Sequence, residues 1–411
     1  MTHRLISCLI LLVVITSSFT GCKKDPGTIS PPEEPKQNNN YILKADETAL
    51  LAVNDINVYV GQDGRIFIDG PFYKKLNTEV SLSSAGLWLA AAPNGNPYAD
   101  LIIGGLSNYA AKWDTAYSGV FNVTPEILTN DILNWPSKYG APVDQNGKPA
   151  LHGDAMLFSC MKGIQAFPYN GMGNPVENLR ITQTVYAYKT PGLSNVLFVR
   201  YELKNAGTKD INGIYAGYYT DTDIAIGNVK NSIGYDSSKA IMYTYLDPND
   251  TKSADYYNCV SGCLFLESPF RDSRFPYPAS GHRMLERNYG ESGSQFGELS
   301  LREPGQILNV LKALGNDGSS MIDPVTKSPT KYAFSGNPVT GKGWLDQGTG
   351  DKRNLLCTGP FDLKASESKV ITVAMITVGE KLLKDSLDKL RTQADLIRNE
   401  SSIWSFPVSK Q

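Results

Sequence analysis

Residues Asn195–Tyr245, NVLFVRYELKNAGTKDINGIYAGYYTDTDIAIGNVKNSIGYDSSKAIMYTY, decide the fold class. Leu197, Val199, Tyr201 and Leu203 alternate with Phe198, Arg200, Glu202 and Lys204, the period of a strand with one buried face. Asn205-Ala206-Gly207 supplies turn chemistry, and Ile214 to Thr220 reads as the returning strand of a β-hairpin. That strand runs out into Asp221 and Asp223, with Asn231 and Asp236 a loop further on.

Further strands are expected on both sides of this stretch. Ile56 to Ile68 reads as a hairpin around Gln62-Asp63-Gly64. Val80–Ala91 contains GLWLAAA, an apolar run suited to a strand buried on both faces. Tyr109 to Val123 and Asn178–Tyr188 read as further strands, and Gly359 to Val378 as strand, turn and strand. Then the period changes. Leu383, Leu387, Leu390, Ala394 and Ile397 recur at helical spacing within Lys381–Asn399. Trp404 and Phe406 are placed to tie down the tail, residues 401–411. The expectation is a mainly β protein: an antiparallel β-sandwich-like body over 46–400 with one C-terminal amphipathic helix, and room for two lobes meeting near residue 175.

The N-terminus is of another kind. Leu5 to Ile15 is an apolar run too short to span a bilayer, which suits the core of a signal peptide over residues 1–21. It ends in Ser17-Ser18-Phe19-Thr20-Gly21-Cys22, which resembles the bacterial lipobox, with Phe19 where Leu is usual. The resemblance implies that Cys22 is lipidated, palmitate included, and becomes the first residue. Residues 22–45 are rich in Pro, Lys, Glu and Asn and read as a flexible tether. Lys23-Lys24-Asp25 resembles surface-export signals of Bacteroidota lipoproteins. The expected location is the bacterial cell envelope, at the outer membrane.

Loss of Arg4 with the signal moves the formal charge from −2 to about −3, a balance that implies no nucleic-acid partner. Cys160, Cys259, Cys263 and Cys357 are disulfide candidates in an oxidising compartment, and Ser261-Gly262 within NCVSGC has the chemistry of a small loop. Zinc would need four ligands close in space, and the mature chain has only two histidines, His152 and His282. Neither histidine sits beside a nucleophile motif, and the chain carries no P-loop or dinucleotide fingerprint.

Asp221 and Asp223 lie two apart, so an extended strand points both carboxylates to one side. With Asn231 and Asp236 they form a candidate calcium site, to be completed by carbonyls and water. The other reading is that these acids cap turns. Asp144 to Lys148 (DQNGK) has a calcium-loop rhythm but reads better as an Asn-Gly turn. Ser268–Gly290 is a long loop carrying Arg271, Arg274, Phe275, Tyr277, Arg283 and Arg287, suited to gripping a carboxylate, a sugar or a partner protein.

Several strings also stand in a familiar order: AGLWLAA, YGAP with a GKP turn, ITQTVYAY, FVRYELKN, DTDIAIG then GYD, FSGNPVTGKGW, DKRNLL, TGPFDL and SLDKLR. Over residues 55 to 400 the chain resembles a set of uncharacterised exported proteins of Bacteroidota and Ignavibacteria, often lipoproteins or substrates of type IX secretion. The resemblance implies location and fold class, and no activity. Family members often carry longer acidic loops where this chain has only Asp144 and Asn146, and acidic residues where it has Asn231. The resulting expectation is a lipid-anchored envelope protein with a non-catalytic binding or structural role toward a glycan or protein. The competing class is a carbohydrate-active enzyme using a carboxylate pair.

Overall fold

A computed structural model describes residues 48–68, 70–101, 109–110, 120–123, 135–163, 176, 178–225, 229–273, 276–286, 301, 303–348 and 350–406. The expected signal peptide, Cys22 and the whole tether lie outside these residues, as does most of the Tyr109–Val123 stretch.

The described chain opens with β1 (Thr48–Leu51), β2 (Val58–Gly61), β3 (Ile66–Phe67) and β4 (Pro71–Lys75), which lead into the long β5 (Thr78–Ala91). The expected Asp-Gly turn links β2 to β3, with Asp63 accepting from the Arg65 backbone N–H. β6 (Tyr98–Leu101) folds back along β5. β7 (Tyr109–Ala110), β8 (Val120–Val123), β9 (Ala155–Gly163), β10 (Leu179–Ala187) and β11 (Val196–Asn205) follow. Next come β12 (Ile211–Ile224), β13 (Asn231–Asp236), β14 (Ile241–Leu246), β15 (Asn258–Glu267) and β16 (Gly281–Glu286). Helix α1 (Pro304–Leu311) and the small hairpin of β17 (Met321–Ile322) and β18 (Pro329–Thr330) precede β19 (Lys352–Leu363) and β20 (Ser368–Glu380). Helix α2 (Leu383–Asn399) comes last.

The long strands make two antiparallel sheets. One runs β1-β2-β3-β5-β12-β19-β16, with β4 and β6 also on β5. The other runs β13-β14-β15-β20-β11-β10-β9-β7, with β8 on β9. Their inner faces share one core, in which Leu87, Leu89, Ala216 and Tyr218 meet Val185, Leu197, Val199 and Met375. The expected β-sandwich is therefore present, with a helix on each outer face. On α2, Leu383, Leu387, Leu390, Ala394 and Ile397 pack on Tyr243, Val260, Ile376 and their neighbours, each Leu or Ile burial stabilising by roughly 2 kcal/mol. Trp404 donates to the Ile397 carbonyl at 2.9 Å and so fixes the tail.

Helix α1 was not anticipated from the sequence. Glu303 and Gln306 form its capping box, and Ile307, Leu308 and Leu311 cover Trp88, Tyr219 and Leu355 on the outer face of the first sheet. Gly217 permits this contact, because a Cβ there would lie 2.6 Å from Leu311 Cδ2.

Three expectations need correction. β11 and β12 are not a hairpin: β11 pairs with β10 and β20, β12 with β5 and β19. The two strands face each other across the core, with the Tyr201 and Tyr218 rings 6.4 Å apart. Each is apolar enough to sit inside a sheet, and alternation alone does not distinguish a hairpin from an arch. The same arch links β19 to β20. Secondly, NCVSGC closes no loop. It is extended strand, with Cys259 opposite Gly379 and Cys263 opposite Met375, so the two cysteines stand about 13 Å apart. Cys160, Cys259, Cys263 and Cys357 are buried thiols: Cys259 and Cys263 face the core between the sheets, Cys160 the outer side of the second sheet and Cys357 the outer side of the first, and none is bridged to another. Burial pushes the Cys259 and Cys357 thiols up to about 12. Finally, no lobe boundary falls near residue 175 among the described residues, since β9 and β10 pair along their length on either side of it.

The segment Lys331–Phe334 closes one side of the sandwich. His282 on β16 donates its N–H to the Lys331 carbonyl and accepts from Ala333, while Tyr235 on β13 donates to the Phe334 carbonyl. Beneath it the His282 ring is fully buried, stacked on Tyr235, with Nδ1 2.8 Å from the Ala333 carbonyl and Nε2 2.8 Å from the Asn354 amide. Burial lowers its pKa to about 4, against the pull of the hydrogen bonds to Asn354 and Ala333, so the ring is neutral at pH 7. Asn354 in turn donates from Nδ2 to the Thr244 hydroxyl at 3.0 Å. In the unfolded chain the same ring protonates near its ordinary value, so the unfolded state binds the extra proton first. Stability contributed by His282 is therefore whole above pH ~6.5 and lost as the pH falls toward about 4, by on the order of 3 kcal/mol. Urea unfolding between pH 7 and 4 should show this loss in the wild type and a flatter profile in His282→Gln.

Candidate functional site

The acidic end of β12 lies on the outer face of the first sheet. Asp221 stands opposite Ser84, and Asp223 opposite Ser81, with a register shift just after Asp221 that sets Ser83 on β5 between the two pairs. Both carboxylates share a face, as strand alternation requires. The third member of the group is Asp351, just before β19: one oxygen from each of Asp221, Asp223 and Asp351 lies within 4.8 Å of the others. Arg353 is the counter-ion. Its Nη2 is 3.0 Å from Asp221 Oδ2, one register step beyond the Thr220–Asn354 pair, and its Nη1 pairs with Asp351. The Arg353 side chain is 3% exposed, so it must be paired. Asp223 receives less of this charge. Burial and then the Asp351 charge raise its pKa, against the pull of Arg353.

The other two expected metal ligands lie elsewhere. Asn231 clamps the turn after β12: its Oδ1 accepts from the Ile224 N–H at 2.9 Å and its Nδ2 donates to the Ile224 carbonyl at 3.1 Å. Asp236 accepts from Ser238 and, at 2.6 Å, from Arg391 Nε, so it joins the second sheet to α2. Its pKa is lowered by those hydrogen bonds and the Arg391 charge, which outweigh burial. Asp144 likewise accepts from the Asn146 and Lys148 N–H groups, the geometry of a turn. Of the four proposed ligands, then, only Asp221 and Asp223 come together. Their actual partners, Asp351 and Arg353, sit in the DKRNLL string. The signal that could have found them is the alternation Asp351, Arg353, Leu355, which places both charges on one face of β19.

The arginine-rich segment also divides. Arg274, Phe275 and Arg287 lie outside the described residues. Arg283 is no surface group: it is fully buried in β16, and burial lowers its pKa to about 10. Strand formation over GHRMLE turns its side chain under the outer layer of the first sheet. Arg271 is exposed, and its Nη1 donates to the Ser268 and Phe270 carbonyls, which holds the start of the loop. Tyr277 is half-buried, with the Arg398 guanidinium of α2 3.9 Å from its ring centroid. Arg398 has no marker in the local sequence that would connect it to Tyr277. Leu266, Arg271, Asp272, Pro276, Tyr277 and Pro278 line an open cleft here, combining an aromatic face with one cation and one anion.

No protein-family model matches the chain, and no curated protein matches it. Among solved structures it is similar to a crystal structure described as a "putative aldose 1-epimerase" from Escherichia coli K12. That similarity has 10% identity and a TM-score of 0.28 and covers 81% of this chain and 99% of the other. A likeness at this level carries no argument about fold or function.

The charge arrangement sets a prediction for the acidic end. Arg353→Met leaves the buried Asp221 carboxylate without its counter-ion and should lower stability by about 3–5 kcal/mol. Asp223→Asn acts in the opposite sense. A raised folded pKa means that ionised Asp223 costs stability at neutral pH, so its removal should be neutral or raise the melting temperature. Thermal unfolding of both variants, each with calcium and with chelator, checks the pair. Arg353 neutralises two of the three carboxylates, so neither addition should shift the wild-type midpoint.

Proposed function

We propose that this chain is a lipid-anchored cell-envelope protein that binds a glycan without turning it over, through the cleft at Leu266, Arg271, Asp272 and Tyr277. The observation that carries the reading is the cleft itself: an aromatic side chain flanked by groups that donate and accept hydrogen bonds. Such a set suits a sugar, whose C–H face lies on an aromatic ring while its hydroxyls reach the polar rim. The lipid anchor rests on the lipobox-like Ser17–Cys22 segment. Binding should be measured by calorimetry against oligosaccharides of varied charge, with the protein truncated before residue 42. Tyr277→Ala and Arg271→Ala are each expected to weaken binding about tenfold, a loss of about 1.4 kcal/mol. Unchanged binding in both would remove the cleft from the reading, and a protein ligand in place of any sugar would replace the glycan. Metabolic labelling with palmitate should mark the wild type and not Cys22→Ser.

The second reading is a carbohydrate-active enzyme using a carboxylate pair. One observation favours it: Asp221, held by Arg353, stands two positions from Asp223, whose pKa burial raises. Against it, Arg353 already holds Asp221, and carboxylate oxygens of the two acids lie within 4.8 Å, whereas a sugar-cleaving pair needs a gap for the substrate of roughly 5 Å or more. Glycan cleavage abolished by Asp223→Asn would establish the enzyme.

A further inference from the structure

Between the sheets, three polar side chains face the core from adjacent strands. Gln183 on β10 stands directly opposite Ser159 on β9 and Tyr201 on β11. All three are buried, at 0%, 1% and 0% exposure in that order. Gln183 Nε2 and Oε1, Ser159 Oγ and Tyr201 Oη have no hydrogen-bond partner in the protein. Such atoms left unbonded in an apolar interior are unfavourable, and four of them gathered in one place call for a partner.

We propose that this cluster is an internal hydration site, holding one or two ordered water molecules with Gln183 as the hub. Directly opposed residues have Cβ atoms about 5 Å apart, a spacing that a water bridges between side chains too short or too far turned to meet. The amide supplies both a donor and an acceptor, and the two hydroxyls supply either. A charged occupant does not fit: the surrounding core is Leu157, Ile181, Val185, Leu203 and Tyr218, with no formal charge to stabilise it. The water would sit midway along β10, opposite Tyr218 of the first sheet, whose hydroxyl instead reaches Met375 Sδ at 3.3 Å.

An atomic-resolution crystal structure of the folded body tests this. The expected result is isolated density about 2.6–3.2 Å from Gln183 and from at least one of Ser159 Oγ and Tyr201 Oη. Direct Gln183 bonds to both hydroxyls with no such density would overturn it, as would density too large for water. Stability gives an independent reading. Tyr201→Phe and Ser159→Ala should each lower the melting temperature by about 1–2 °C, and Tyr201→Phe should have no effect once Gln183→Leu has removed the hub. A rise in melting temperature for Tyr201→Phe would mean a dry, unbonded hydroxyl and would sink the proposal.

Discussion

The constraint on which this structure depends is that both faces of both sheets must leave water. The inner faces meet each other, and the outer faces meet α1, α2 and the loops. That is why β5, β12, β19 and β20 are long and buried nearly throughout, and why successive strands can cross between sheets: each finds an apolar face waiting on the opposite layer. Apolar burial of this kind is non-directional and does not choose a register. The polar contacts do that.

The Lys352–Asp346 pair shows how. Its atoms are 2.6 Å apart, with the two side chains 4% and 2% exposed. Lys352 Nζ also donates to the Asn231 and Gly348 carbonyls, and Asp346 accepts from the Ile233 and Gly348 N–H groups. A buried ion pair with its remaining groups bonded contributes little net stability, but it tolerates no slippage. It fixes β19 of one sheet against β13 of the other. Asn231 thus has a structural role through both side chain and carbonyl, close to the acidic end yet separate from it.

Much of the fold was legible in the sequence because period-two alternation and the spacing of Leu383, Leu387, Leu390, Ala394 and Ile397 report burial directly. Sheet membership was not legible. Val196–Asn205 and Ile211–Ile224 look the same whether they pair side by side or stack face to face. The candidate site was half legible for a related reason: Asp221 and Asp223 share a face by strand geometry, whereas Asp351 and Arg353 reach them only once β19 is known to lie beside β12. Asp236 and Arg283 looked available as charged groups near a site, and each is instead committed to packing one layer on another.

The placement of β20 bears on how the chain acquires this structure. β20 lies between β15 and β11 and so joins the two halves of its sheet, while β19 sits beside β12 in the other. Both come from the last quarter of the chain. A polypeptide made N-terminus first cannot complete the first sheet before residue 363 or the second before residue 380, and its contacts are predominantly long-range, which makes for slow folding. Each sheet thus depends on a strand made late in synthesis for its central pairings.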